Sequence, residues 1–490
     1  MFKKITAVFL CLCMIIPFTF TAFAEGEAGG VSYKITNPYA SVTNLLGNDE
    51  NHYKTNLHTH SSVSDGRILF PEQLKTHYEQ GYDILGMAEH GVIGKKWNEE
   101  PTHYFLMQIC ELANSIADGV DYFTHQYDHL TDEEFEAITA GTYEFDEAGN
   151  FNPTTTISFS EPSSRTYGRG MNCVTTGIEL SAASVIQSHL TGYFSDWGGG
   201  ISALLVHEGD YEYFVKNVEK HGGVTIINHP GHYLNCGKIP ENAKDENQLF
   251  YFANLFNTYK SCLGIETYNN SDNESKNNRI FWDELLQYVI PYGERNVFGF
   301  SNNDSHDQRS VDSEFMDFIL PSFSEANLRT AMETGAFFAT GRKAKNDEEL
   351  GDGFVASGPV PRVVGLDVDD ENDVITVTAR NAKRIEWIAN GNMIESAVST
   401  DDNGNLVSVI KLREHSDDIT CYVRFRIYGD GGYCCSNPFI CDDGNMQRFI
   451  IKDERSASVI AKDKADRRFT DNIFGALIKL IEWKLEKDKA

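Results

Sequence analysis

Between residues 55 and 345 the chain alternates short apolar runs with amphipathic stretches, and nearly every apolar run ends on a His, Asp or Glu. Thr55, Leu57 and Thr59 alternate with Asn56, His58 and His60, the period of two that marks a strand and places both imidazoles on one face. The pattern predicts a helix over 71–80 and a buried strand over 82–88 that ends at Glu89-His90. Further strands are predicted over 172–180, 189–194, 224–227, 264–269 and 297–302, with a helix over 211–221. Repeated strand–helix units of this kind predict an α/β fold closed into a parallel TIM-like barrel, whose C-terminal rim carries the chemistry.

Two stretches depart from that repeat. Residues 92–172 are longer than one crossover needs, and Thr131-Asp132-Glu133-Glu134 within them is a capping box that opens a helix. This insertion reads either as a surface excursion or as a lid over the rim. After Gly351 short alternating strands follow, separated by the hairpin signals Asn390-Gly391 and Asn403-Gly404. An appended C-terminal antiparallel β-sandwich is expected over 351–445. In the charged tail, 446–490, a helix over 471–487 places Phe474, Leu477, Ile478, Ile481 and Leu485 on one face. It would dock on the body of the protein or associate with a membrane surface.

The first 24 residues read as an export signal: Lys3 and Lys4, an apolar run, then Ala22-Phe23-Ala24 as a cleavage site. No lipobox precedes Cys11 or Cys13, so cleavage after Ala24 is expected, with the barrel domain over 25–345 and a secreted or surface-associated product. The formal charge of −30 falls to −32 without Lys3 and Lys4 (−30 − 2), which argues against a nucleic-acid-coating role. Of the ten cysteines, eight lie beyond the signal, with no Cys-x-x-Cys pair. They suggest no zinc finger, although bridges among Cys421, Cys434, Cys435 and Cys441 suit an oxidising compartment.

Chemistry concentrates at the strand ends. In chain order they carry His58, His60, Asp65, His90, Glu179, His189, His229, Asp304 and His306, which takes six of the fifteen histidines. The Ser64-Asp65-Gly66 turn can bring the Asp65 carboxylate back toward His58 and His60. Imidazoles and carboxylates bind first-row divalent ions without thiolates, and nine donors suit a cluster of two or three ions (Zn, Mn or Fe) bridged by carboxylates. Divalent ions bring the pKa of a bound water toward ~7, so a metal-bound hydroxide would be the nucleophile. No Gly-x-Ser-x-Gly or activated-cysteine pattern offers a side-chain alternative. His103, His125 and His129 read as ordinary surface histidines, whereas His207 and His232 lie close to ligand motifs and could contact substrate.

The order His-x-His…Asp-Gly, Glu-His, Gly-Ile-Glu, His-Leu-x-Gly-Tyr, Asn-His-Pro and Asp-Ser-His resembles the PHP (polymerase and histidinol phosphatase) superfamily over roughly residues 37–345. The resemblance implies a distorted (β/α)7 barrel, a trinuclear metal site with Glu179 bridging two ions, and cleavage of a small-molecule phosphoester. Asp65 at the third position is similar to the single-chain phosphoesterase branch. The sandwich with Ser436-Asn437-Pro438 is similar to exported members, among which are carbamate ester hydrolases. The long insertion departs from the compact phosphoesterases and bears on substrate more than on chemistry. Two other readings compete: a carbamate, carboxyl-ester or amide hydrolase using the same ions, and a non-catalytic binding protein.

Overall fold

A computed structural model describes residues 31–103, 121–143, 169–181, 188–199, 209–270, 275–343 and 356–460, with a few isolated positions between them. The export signal, His207, the tail helix and the Thr- and Ser-rich part of the insertion lie outside the described residues. Among the described residues no helix is long and apolar enough to cross a membrane.

The fold is mixed α/β, and among the described residues no sheet closes into a barrel. An eleven-stranded sheet contains His52–Asn56 between Ile84–Gly86 and Glu314–Ile319. A five-stranded sheet runs in the order Phe298–Asn302, Cys262–Asn269, Val224–Ile227, His189–Tyr193, Ile178–Ser181. The parallel ladder expected from the periodicity is broken because Ile178–Ser181, His189–Tyr193 and Val224–Ile227 pair antiparallel, as do Glu314–Ile319 and Phe337–Gly341. The stretch 172–180 is two strands, not one. Asn172–Val174 belongs to the large sheet and Ile178–Ser181 to the smaller one. The chain changes sheet at Thr176, whose φ is 63°, and at Gly177, where a Cβ would sit 2.2 Å from the Met87 carbonyl oxygen.

The two sheets meet beyond their strand ends at single parallel bridges, Thr59 with Ser305 and His90 with Glu179. His60 N donates to Ser305 O and Gly91 N to Glu179 O across these seams (3.0 and 2.9 Å). Helices pack outside. Tyr211–Lys220 buries Tyr211, Phe214, Val215 and Val218 on one face, and Ser275–Gly293 lies along the Cys262–Asn269 strand. In the insertion the capping box opens Asp132–Ala140, and Ile138 is buried in a cluster with Leu74, Tyr78 and Trp97.

C-terminal to residue 356 a four-stranded antiparallel sheet turns Val363, Ile375, Val377, Ala379 and Ile410 toward Ile385, Trp387, Val423, Phe425 and Ile427. Asn390 and Gly391, at φ 50° and 75°, form the hairpin turn their sequence predicts. This facing layer shares its hydrogen-bond ladder with the preceding region, since Ala339 and Thr340 pair with Cys435 and Cys434. A buried clamp adds to the contact: Arg424 donates to both oxygens of Asp283 (2.9 and 2.7 Å), which also accepts from the Tyr422 hydroxyl. The seven described cysteines are free thiols, and the bridges expected among the C-terminal four are not formed. Adjacent Cys434 and Cys435 point to opposite faces of their strand, into different apolar clusters.

Candidate metal centre

The site lies on the seams between the two sheets. His58 and His60 follow the His52–Asn56 strand, and His90 follows Ile84–Gly86, both in the large sheet. The smaller sheet supplies Glu179, His189, His229, Asp304 and His306 from four of its strands. Asp65 arrives on the Ser61–Gly66 loop, closed by Gly66 N donating to Ser61 O at 2.8 Å. A Cβ on Gly66 would meet the Ser61 Cα and N at 2.6 Å, so this tight return depends on glycine.

Glu179 is the hub. Its Oε1 lies 3.2 Å from His58 Nε2 and 3.1 Å from His189 Nδ1, while Oε2 lies 3.2 Å from His60 Nε2 and 3.1 Å from His90 Nδ1. Asp304 Oδ1 faces the same two nitrogens of His58 and His60 at 3.3 and 3.2 Å. His229 Nε2 is 3.6 Å from Glu179 Oε1, and Asp65 Oδ1 is 3.3 Å from His306 Nε2. Each oxygen of Glu179 thus faces imidazole nitrogens that follow different strands, an arrangement suited to bridging ions.

The donor set fits metal on three counts. His60 Nε2, Asp65 Oδ1, His90 Nδ1, His189 Nε2, His229 Nδ1 and Asp304 Oδ1 are buried without a hydrogen-bond partner. Four overlapping groups have ligand atoms within 4.8 Å of one another: His60, Asp65, His90 and His306; His58, His229 and Asp304; His58, His60 and Glu179; His90, Glu179 and His189. Electrostatics also favour added positive charge. Burial alone would raise the carboxyls of Glu179 and Asp304, yet the surrounding histidines hold both below the usual range. Burial opposes protonation of His60, but Asp304 and Glu179 lift it to about 10, whereas burial drives His90 down to about 3.

Backbone strain marks the same residues. His229 and Asp304 have φ of 23° and 44°, unusual for side-chain-bearing residues. Their amides are tied down, His229 N to Glu266 Oε2 (3.1 Å) and Asp304 N to His58 O (3.0 Å).

Behind the cluster sit residues the strand-end pattern did not single out. Glu266 is fully buried on Cys262–Asn269, a strand of the smaller sheet that carries none of the nine candidate ligands. It accepts from His58 Nδ1 at 2.8 Å, which leaves Nε2 directed at Glu179 and Asp304, and from Asn269, Asn302 and the His229 amide. Asn228 Nδ2 donates to Glu179 Oε1 at 2.6 Å. Glu89 accepts from the hydroxyls of Ser61 and Ser64. The available signal was a single carboxylate inside a buried strand. The His232 ring lies 4.7 Å from that of His229, tilted by 42°, and outside the four groups.

No protein-family model matches this chain, and no curated protein matches it. Among solved structures it is similar to a two-domain protein containing a predicted PHP-like metal-dependent phosphoesterase from Bacteroides vulgatus ATCC 8482. The identity is 12%, the match covers 79% of this chain and 96% of the other, and the TM-score is 0.36. A likeness of that size carries no argument about function.

Proposed function

We propose that the protein is a metal-dependent hydrolase that cleaves phosphoesters, a PHP-type enzyme exported through its N-terminal signal. The observation that carries this reading is the convergence of nine imidazoles and carboxylates, Glu179 among them as the hub, with six buried polar atoms lacking partners. In this reading the two sheets, touching at Thr59–Ser305 and His90–Glu179, are a distorted barrel split along two seams.

Divalent ions held by these residues would supply an acidified water and neutralise charge on phosphoryl oxygens. The chain's own groups do the rest. Glu179 would span two ions, because each of its oxygens faces a separate pair of imidazoles. Glu266 and Asn228 would hold His58 and Glu179 in the orientation that presents their free atoms to metal. Among the described residues, the Ser61 and Ser64 hydroxyls donate to Glu89 and that of Ser305 to the Asp307 carbonyl, so none of these three is poised as a nucleophile. In this reading His232, whose ring centroid lies 4.7 Å from that of His229, would contact bound substrate.

The test is metal analysis of the purified protein with a screen of phosphomonoesters, phosphodiesters, carboxyl esters and carbamates. Two or three divalent ions per chain and chelator-sensitive phosphoester cleavage are expected. Preference for carbamates or carboxyl esters would replace the substrate class, and absence of bound metal would overturn the reading.

A further inference from the structure

His60 and Asp65 flank one short loop, residues 61–64, and both side chains depend on where that loop lies. The bond from Gly66 N to Ser61 O closes the loop but does not fix its place over the sheets. Glu89 does. It is 2% exposed, and among the described residues its carboxylate accepts three hydrogen bonds, all from this loop. The Ser61 hydroxyl donates to Oε1, while the Ser64 hydroxyl and the Ser61 amide (3.1 Å) donate to Oε2. Ser61 and Ser64 are fully buried, and Ser61 Oγ accepts in turn from Val63 N at 3.1 Å.

The same contact orients His60. Its Nδ1 lies 3.4 Å from Ser64 Oγ. Because the Ser64 proton is engaged by Glu89, that oxygen is left to accept from Nδ1–H. The Nε2 lone pair is then free to face Glu179 Oε2 and Asp304 Oδ1, each 3.2 Å away. His58, the other imidazole of the pair, is backed directly by the buried Glu266. The Glu89 backbone joins the arrangement too: its carbonyl accepts from Glu179 N at 3.0 Å, and His90 follows it in sequence.

We infer that Glu89 is a positioning residue of the metal centre. Through Ser64 it holds the His60 ring in its metal-binding tautomer, and through both serines it keeps Asp65 beside His90 and His306. The role rests on the metal-dependent reading and assigns that centre a further residue. The group of His60, Asp65, His90 and His306 takes two of its four members from this arrangement, so an ion held there depends on Glu89 most.

Chelator competition and elemental analysis of the full-length protein test this, with cobalt as a spectroscopic probe and urea unfolding of the metal-free variants as the measure of fold. Glu89→Ala should weaken one of the bound ions ~10–100-fold and alter the visible absorption of the cobalt-loaded protein. Ser64→Ala, which removes only the link to His60, should weaken it about fivefold, the scale of one hydrogen bond. Glu89→Gln should stay within about threefold of wild type, because hydroxyl partners can accept from the new amide group. If Glu89→Ala does not fold, the other two variants decide. Metal affinity within about twofold of wild type in Ser64→Ala or in a folded Glu89→Ala would overturn the role, and so would a larger than threefold loss in Glu89→Gln. Wild-type protein that holds no divalent ion would overturn the metal-dependent reading itself, and this role with it.

Discussion

Replacing Glu266 with glutamine tests the buried layer behind the metal centre. Its Oε1 accepts from His58 Nδ1 and Asn302 Nδ2 (2.8 and 2.9 Å), and its Oε2 from the His229 amide and Asn269 Nδ2 (3.1 and 2.8 Å). An amide on the Oε2 side would confront two donors. Asn269 can answer by flipping, because its Oδ1 has no partner, which leaves the His229 amide orphaned. One buried unsatisfied donor costs ~1–3 kcal/mol, a loss a domain of ordinary stability survives. The metal should feel the change more, since loss of a carboxylate behind a ligating histidine typically lowers affinity ~10–100-fold, or ~1.4–2.8 kcal/mol. Chelator competition would read the affinity and urea unfolding of the metal-free protein the stability. Glu266→Gln that folds and binds metal within about twofold of wild type would refute the positioning argument.

Glu179→Ala should lose more metal than Asp304→Ala, because Glu179 presents both oxygens to separate imidazole pairs, and elemental analysis of the two variants decides the order. His77 is buried and neutral: Nδ1 donates to Gln73 O (2.9 Å), Nε2 accepts from Asn303 (3.1 Å), and burial pushes its pKa down to about 4. Its folded pKa lies below the unfolded value near 6.5, so stability is intact above ~6.5 and falls by up to ~3 kcal/mol as pH drops toward 4. His77→Gln should flatten that part of the unfolding profile, and an unchanged slope would refute the assignment. Asp283→Ala strands Arg424, which is 1% exposed, and should cost ~3–5 kcal/mol in denaturant unfolding.

The strand-end residues were legible because the chemistry requires a metal-binding side chain where a strand stops, and that places it in the pattern. The coarse α/β class was legible for the same reason. Strand direction was not. Hydrophobic periodicity reports burial, and Ile178–Ser181 is equally buried whether its neighbour runs parallel or antiparallel. The break at Thr176 was hidden inside one apolar run, although Gly177 marked it. Glu266 was overlooked because it lies in mid-strand, where a single carboxylate among eight buried residues declares itself only once its partners are known. Cys434 and Cys435 stay unpaired with each other because neighbours on a strand face opposite sides, which composition does not carry.

The two seams bear on how the protein ages as well as on what it binds. Because the cluster draws on both sheets, each bound ion is a removable staple across a boundary that the backbone crosses at two single bridges. Bound metal at 100 times its dissociation constant adds ~2.7 kcal/mol of resistance to opening. Amide protons at the boundary, such as those of His60, Gly91 and Asp304, should therefore exchange far faster once metal is stripped, while those of the C-terminal layer keep their pace. For a protein exported as proposed, the supply of divalent ions would then set its working lifetime against proteases.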